Sequence, residues 1–366
     1  MNKKTILFTM LVLVAMTAHS QVHYRLEGNI GDSTFTGKAT LRDLYVHSGT
    51  EVATVNITNG KINPVEGELP DTTICGIIFD DGRMHLFPVF LGGGTTTIIG
   101  KTGLFRPKQI GTSLCEDYIL FKKKESEVTS QWLIERMKKF RGGTGTVSTA
   151  DMGKEETGQI EATAIDVISR HTSDILGLYL LREEAVNYLT PATWLELFDK
   201  IAPWLKTKPD LYEDLTFFKS MMESNVKTGE GTKFIDVEAE VDGKICRLSD
   251  YVGKGRYILA DFWGSTCTPC LAQMPKLNEI HQKYQSCGLT VLGIAVSEDA
   301  EKSRAAIEKH HITFPQLLNT QTKAMETYGI LGVPYSILFA PDGTIIARGP
   351  LGETIEKKLA EIFNDK

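Results

Sequence analysis

The run Tyr257-Ile258-Leu259-Ala260-Asp261-Phe262-Trp263 is apolar and rich in strand formers, and Gly264-Ser265-Thr266-Cys267-Thr268-Pro269-Cys270 follows it directly. From Cys270 to Tyr284 apolar residues return at helical spacing, at Leu271, Met274, Leu277, Ile280 and Tyr284. This pattern predicts a buried strand that turns into a helix, with two cysteines at the joint. Cys267 then falls near the helix N-terminus, where unpaired N–H groups and the positive end of the helix dipole favour a thiolate. Cysteines in such places ionise at about 3.5–7.5 instead of about 8.5. The spacing also lets both sulfurs close a small, reducible disulfide, which suits thiol–disulfide exchange.

The chain has 366 residues, enough for two or three domains, and a hydrophobic fraction of 42% that permits real cores. A net charge of -6 argues against a general nucleic-acid binder. The one basic run, Lys122-Lys123-Lys124, is followed by Glu125 and Glu127 and reads as a solvated face. Residues 1–20 have the layout of a secretory signal. Lys3 and Lys4 lead an apolar run, Ile6 to Met16, that is too short for a span of about 20 residues. Ala18-His19-Ser20 presents small residues for cleavage near Ser20/Gln21. The mature chain is therefore expected to be soluble, exported and periplasmic. No cysteine lies near the cleavage point to carry a lipid anchor.

Export places the cysteines in an oxidising compartment, where thiols are buried, paired or catalytic. Six cysteines are too few for a disulfide-built scaffold in a chain this long. Cys246, in an expected strand, and Cys287, at a helix end before Gly288, are expected to be buried and inert. Cys75 and Cys115 lie in or beside the N-terminal region, and sequence leaves open whether they pair.

Residues 21–114 read as a small antiparallel all-β domain, a sandwich or barrel. Tyr24, Leu26 and Ile30 alternate with polar neighbours, Asn59-Gly60 marks a hairpin, and Asp80-Asp81-Gly82 marks a second. Gly92-Gly93-Gly94 precedes a strand and lacks the Lys-Ser/Thr ending of a phosphate loop. Residues 115–231 read as a helical segment and linker. Trp132, Leu133, Met137 and Phe140 share one face, and residues 141–149 are rich in Gly and Thr. Thr190-Pro191 starts a helix; Phe217, Phe218, Met221 and Met222 fit inter-helix packing. Thr228-Gly229-Glu230-Gly231 is an expected hinge. Residues 232–366 alternate strand and helix, as in a compact α/β domain.

Three separated elements of this last region agree on a family. Asp261-Phe262-Trp263 with Cys-x-Pro-Cys, and Gly332-Val333-Pro334 before a later strand, resemble the thioredoxin superfamily. The segment between Val296 and Tyr328, with Phe314-Pro315, and the stretch Leu248-Ser249-Asp250-Tyr251 resemble its TlpA/ResA-like branch of exported thiol–disulfide oxidoreductases. The resemblance covers about residues 232–366. The N-terminal β region resembles a domain of unknown function found ahead of such thioredoxins in Gram-negative bacteria. The resemblance implies roles. Cys267 would attack a substrate disulfide and Cys270 would resolve the mixed disulfide as the redox-active pair. Asp261, turned inward by strand alternation, would take the proton of Cys270. Pro334 would form a cis turn facing the sulfurs, Val333 would pair with an extended substrate, Thr268 would border it, and Trp263 would wall the site. No cofactor, metal or nucleic acid is implied. The partners would be disulfide-containing exported proteins and a membrane electron donor.

The chain departs from many relatives at Thr266, Thr268 and Leu271, which bears on potential and substrate choice. Three other classes fit parts of this pattern. A thiol peroxidase of the peroxiredoxin type needs a Pro and a Thr ahead of its reactive Cys. Those positions hold Ala260 and Gly264 before Cys267, and Trp263 and Cys267 before Cys270. A zinc module needs four ligands, and one C-x-x-C supplies two; His310 and His311 fall at a helix end as surface residues. An exported binding protein with a vestigial thioredoxin domain would have no use for the intact pair, Asp261 and Pro334.

Overall fold

The computed structural model describes residues 21–44, 49–80, 84–100, 108–139, 152–207, 209–296 and 299–363. The expected signal, residues 1–20, the turn residues 81–83, Phe140 and the Gly/Thr-rich stretch 141–149 lie outside them. The chain divides into two compact units, Met1–Ile119 and Leu120–Lys366.

The first unit is built on eight strands: β1 (Val22–Asn29), β2 (Gly37–Asp43), β3 (Glu51–Thr58), β4 (Lys61–Leu69), β5 (Thr73–Phe79), β6 (Met84–Leu91), β7 (Gly94–Ile99) and β8 (Lys108–Ile110). Asn59 and Gly60 both take positive φ, the turn that joins β3 to β4 with Thr58 opposite Lys61. The strands form one sheet in the order β6-β5-β2-β3-β4-β1-β7-β8, not two stacked sheets. The pairing is antiparallel except between β1 and β7, which run parallel, so the expected all-antiparallel pattern needs that correction. The pair is non-local: the whole meander β2–β6 separates its strands, room enough for a parallel crossover.

The sheet rolls up until its two ends meet through side chains. Gln109 of β8 donates to the Pro88 carbonyl and accepts from Phe90 N (3.2 Å), and Thr96 Oγ1 donates to Phe90 O (2.6 Å). Leu26, Leu41, Ile57, Ile62, Ile77 and Val89 fill the interior. Cys75 and Cys115 are both buried and both free, so they do not pair. Burial pushes both thiols up, away from the reactive thiolate.

Helix α1 (Ser113–Lys139) is followed by α2 (Lys154–Arg170), α3 (Ile175–Tyr179) running into a π-turn (Leu180–Glu184), α4 (Pro191–Lys200), α5 (Pro203–Lys206) and α6 (Pro209–Lys227). Trp132 of α1 is buried, but Met137 is exposed; Phe217 of α6 is also exposed, while Met221 and Met222 are buried. The basic run is not simply solvated. Lys122 is half-buried and pairs with Glu125 and with Glu184 (2.9 Å), to which the Tyr179 hydroxyl also donates. The expected hinge is pinned. Thr228 is fully buried, and Arg348 donates to the carbonyls of Asn225 (3.3 Å), Thr228 (2.6 Å) and Tyr328 (2.7 Å). A cation here satisfies the last carbonyls of α6.

A hairpin, β9 (Glu238–Val241) and β10 (Lys244–Arg247), leads into β11 (Tyr257–Trp263), α7 (Thr268–Tyr284), β12 (Leu289–Ala295), α8 (Ala300–Lys309), β13 (Gln316–Leu317), α9 (Lys323–Tyr328), β14 (Tyr335–Phe339), β15 (Ile345–Gly349) and α10 (Glu353–Phe363). The five-stranded sheet runs β13-β12-β11-β14-β15, with β11 central, parallel to β12 and antiparallel to β14. This is a thioredoxin-like domain. Alternation along β11 sends Leu259 and Trp263 into a core with Cys270, Met274 and Leu277 of α7. Ile258, Ala260 and Phe262 enter the opposite core with Ala324 and Tyr328 of α9. Cys246 is half-buried and Cys287 is exposed, so the expectation that both are buried fails. The 3-10 turn Gln285–Cys287 has no buried residue, because it only carries the chain out of α7.

Candidate active site

Seven residues singled out in the sequence converge where β11 meets α7 and β14. Cys267 is the N-cap of α7, with Thr268 and Pro269 in the first turn, where the missing N–H of Pro costs no helical bond. Cys267 and Cys270 are joined as a disulfide. Cys270 is fully buried, whereas Cys267 is partly exposed between exposed Thr266 and Thr268. The Cys270 backbone N–H donates to the Cys267 sulfur at 3.2 Å. That N–H and the dipole of a 17-residue helix would stabilise negative charge on this sulfur once it is reduced.

Val333-Pro334 is a cis peptide at the start of β14, and the Val333 carbonyl lies 3.7 Å from the Cys267 sulfur. Trp263 does not line the surface. It is fully buried, and its indole N–H donates to Gln316 Oε1 at 2.9 Å. It supports the pair from within the core instead of meeting a substrate. Gln316 in turn lies over Gly293 of β12, where any Cβ would collide with its side-chain amide.

Asp261 sits on the α7 side of β11, opposite Gly293 on β12 and Ser336 on β14. It is fully buried. Its Oδ1 accepts from Ser336 Oγ (2.8 Å) and from Gln273 Nε2 (3.0 Å), and its Oδ2 has no hydrogen-bond partner among the described residues. Burial pushes its carboxyl up to about 7, against the opposing pull of the two donors. A buried carboxyl that titrates near neutrality is able to accept and return a proton at working pH.

Gln273, Gln316 and Ser336 were not singled out in the sequence. A signal existed for Ser336: it is the one polar residue inside the apolar run Tyr335-Ser336-Ile337-Leu338-Phe339. Gln273 and Gln316 carry no local mark.

Comparison with known proteins covers the same region. The profile of the AhpC/TSA family matches residues 231–348. The thiol-disulfide oxidoreductase ResA of Bacillus thuringiensis subsp. konkukian (strain 97-27) is 30% identical over 125 residues, which is 34% of this chain and 70% of the relative. ResA of Geobacillus kaustophilus (strain HTA426) is 32% identical over 129 residues, covering 34% and 73%. The crystal structure of the thioredoxin domain of a thiol-disulfide oxidoreductase from Bacteroides vulgatus is 26% identical, with a TM-score of 0.34, and covers 37% of this chain and 99% of that one. With its cysteine pair at the head of α7 and relatives of this kind, the chain belongs to the ResA-like thiol–disulfide oxidoreductases, enzymes of thioredoxin-like fold.

Proposed function

We propose that the enzyme reduces or exchanges disulfides of exported proteins by cycling Cys267 and Cys270 between dithiol and disulfide. The observation that carries this reading is the Cys267–Cys270 disulfide, with one accessible and one buried sulfur at a helix N-terminus. In the reduced enzyme the Cys267 thiolate attacks a substrate disulfide. A bond forms between Cys267 and one substrate sulfur, and the other substrate sulfur leaves as a thiolate. Cys270 then gives its proton to Asp261 and attacks the Cys267 sulfur. The Cys267–Cys270 bond closes, the second substrate sulfur leaves, and the substrate has gained two electrons. Val333 and Pro334 hold an extended substrate segment beside Cys267, with Thr268 at its border.

Each cycle leaves the enzyme oxidised, so two electrons must return from a donor. Residues 1–20 direct export with cleavage near Ser20/Gln21, and the periplasm is the compartment. A membrane partner is then the donor. Among the described residues no helix is long and apolar enough to cross a membrane. The test is reduction of insulin disulfides by the chemically reduced full-length protein, compared with Cys267→Ser. Loss of turnover in the variant is expected; equal turnover sinks the assignment. A parallel assay of peroxide consumption addresses the peroxidase alternative.

A further inference from the structure

Buried carboxylates are ordinarily satisfied at both oxygens. Asp261 is satisfied at one. Two neutral donors from two different elements, Ser336 on β14 and Gln273 on α7, both converge on Oδ1. Oδ2 is buried and has no partner. An unpartnered buried carboxylate oxygen is costly when charged, whereas a carboxylic acid O–H there carries no such charge. The two oxygens are thus made unequal by the fold. Gln273 stands three residues after Cys270 on α7, so the two side chains share one face of the helix, the face turned toward Asp261.

We propose that Ser336 and Gln273 are positioning residues: they pin Oδ1 of Asp261 and leave Oδ2 as the atom that takes up and gives back the proton. The proposal rests on the reading of Asp261 as the base for Cys270. During resolution the Cys270 S–H proton moves to Oδ2, the Cys270 thiolate closes the disulfide, and Oδ2 later releases the proton. The donors also stabilise the charged carboxylate, so they set the pH at which it can act. The groups facing Asp261 are Gly293 from β12, Ser336 from β14 and Gln273 from α7; among the described residues no charged side chain adds to the balance of burial and hydrogen bonding.

The test uses the full-length protein with the Asp261 carboxyl labelled with carbon-13, so that its titration is followed by NMR. Ser336→Ala and Gln273→Met each remove one donor and keep approximate volume. Each is expected to move the carboxyl midpoint upward by about one pH unit, and to move the pH profile of mixed-disulfide resolution by the same amount. The iodoacetamide titration of Cys267 should stay in place. Midpoints unchanged in both variants would overturn the proposal. The underlying reading fails separately: if Asp261→Asn resolves the mixed disulfide at the wild-type rate while the carboxyl midpoints still shift, the clamp stands and the base does not.

Discussion

Cys267 and Cys270 lie one helical turn apart, yet only Cys267 reaches the surface. Its sulfur receives the Cys270 N–H and sits at the positive end of α7. In the reduced protein we therefore expect Cys267 to be the residue alkylated near neutral pH, as helix N-terminal cysteines are. Mass-mapped iodoacetamide labelling across pH checks this; preferential labelling of Cys270 would reverse the roles of the pair. At this scale the sequence was legible where a residue's role follows from its immediate neighbours. Cys267, Cys270, Asp261 and Pro334 each stand beside a strong local pattern, and the structure brings them together. Trp263 was misplaced because its role was carried over from the resemblance, which does not say how deep the side chain lies; here it is fully buried. Gln273 and Gln316 were invisible because their significance is a contact: the first reaches Asp261, the second caps an indole from another strand.

In the thioredoxin-like domain the strand expected at Tyr257–Trp263 and the helix expected from Cys270 to Tyr284 match β11 and α7 within two residues. The two-residue β13 and the six-residue α9 are shorter than any periodic window and were missed. The hinge expected at Thr228 failed for a different reason. Gly-rich composition reports backbone freedom, but Arg348, far along the chain, spends its donors on the end of α6. Its Nε also donates to the Tyr335 hydroxyl at 3.1 Å, and the guanidinium lies over that ring. One side chain thus ties α6 to the strand that follows Val333-Pro334. Arg348→Met should leave the part-buried carbonyls of Asn225 and Thr228 without this donor, while that of Tyr328 keeps the Thr228 hydroxyl, and cost about 2–4 kcal/mol, on the scale of about 1–3 kcal/mol for each unsatisfied group. Urea unfolding would show this as a lower midpoint. A midpoint equal to that of the wild type would mean that the latch contributes no stability.

For the whole molecule, the number of compact units follows from contacts that composition does not reveal. The sequence suggested separate β, helical and α/β regions. The structure groups the chain from Leu120 onward into one unit, and it rolls the β region into a single sheet whose strand order depends on non-local pairing. A buried carboxyl also leaves a mark on the stability of the whole chain. Asp261 titrates near 7 when folded and near 3.8 otherwise. Between those pH values the folded chain keeps a proton that the unfolded chain has released, so stability falls as pH rises from about 4 to about 7. At about 1.4 kcal/mol for each pH unit the loss approaches about 4 kcal/mol. Asp261→Asn should remove this slope, giving a variant little changed near pH 4 and more stable by up to that amount at pH 8. Denaturation series at the two pH values would decide it, and parallel pH dependences for the two proteins would count against it. Finally, under the proposed cycle the unequal burial of the paired sulfurs would give the enzyme a single doorway for electrons. A substrate bringing oxidising equivalents and the proposed donor bringing reducing ones would both have to present themselves to Cys267, and they could not do so together. Turnover then has to proceed by alternation, with parallel lines in double-reciprocal plots of rate against either partner, and an excess of one partner should inhibit by occupying the doorway the other needs.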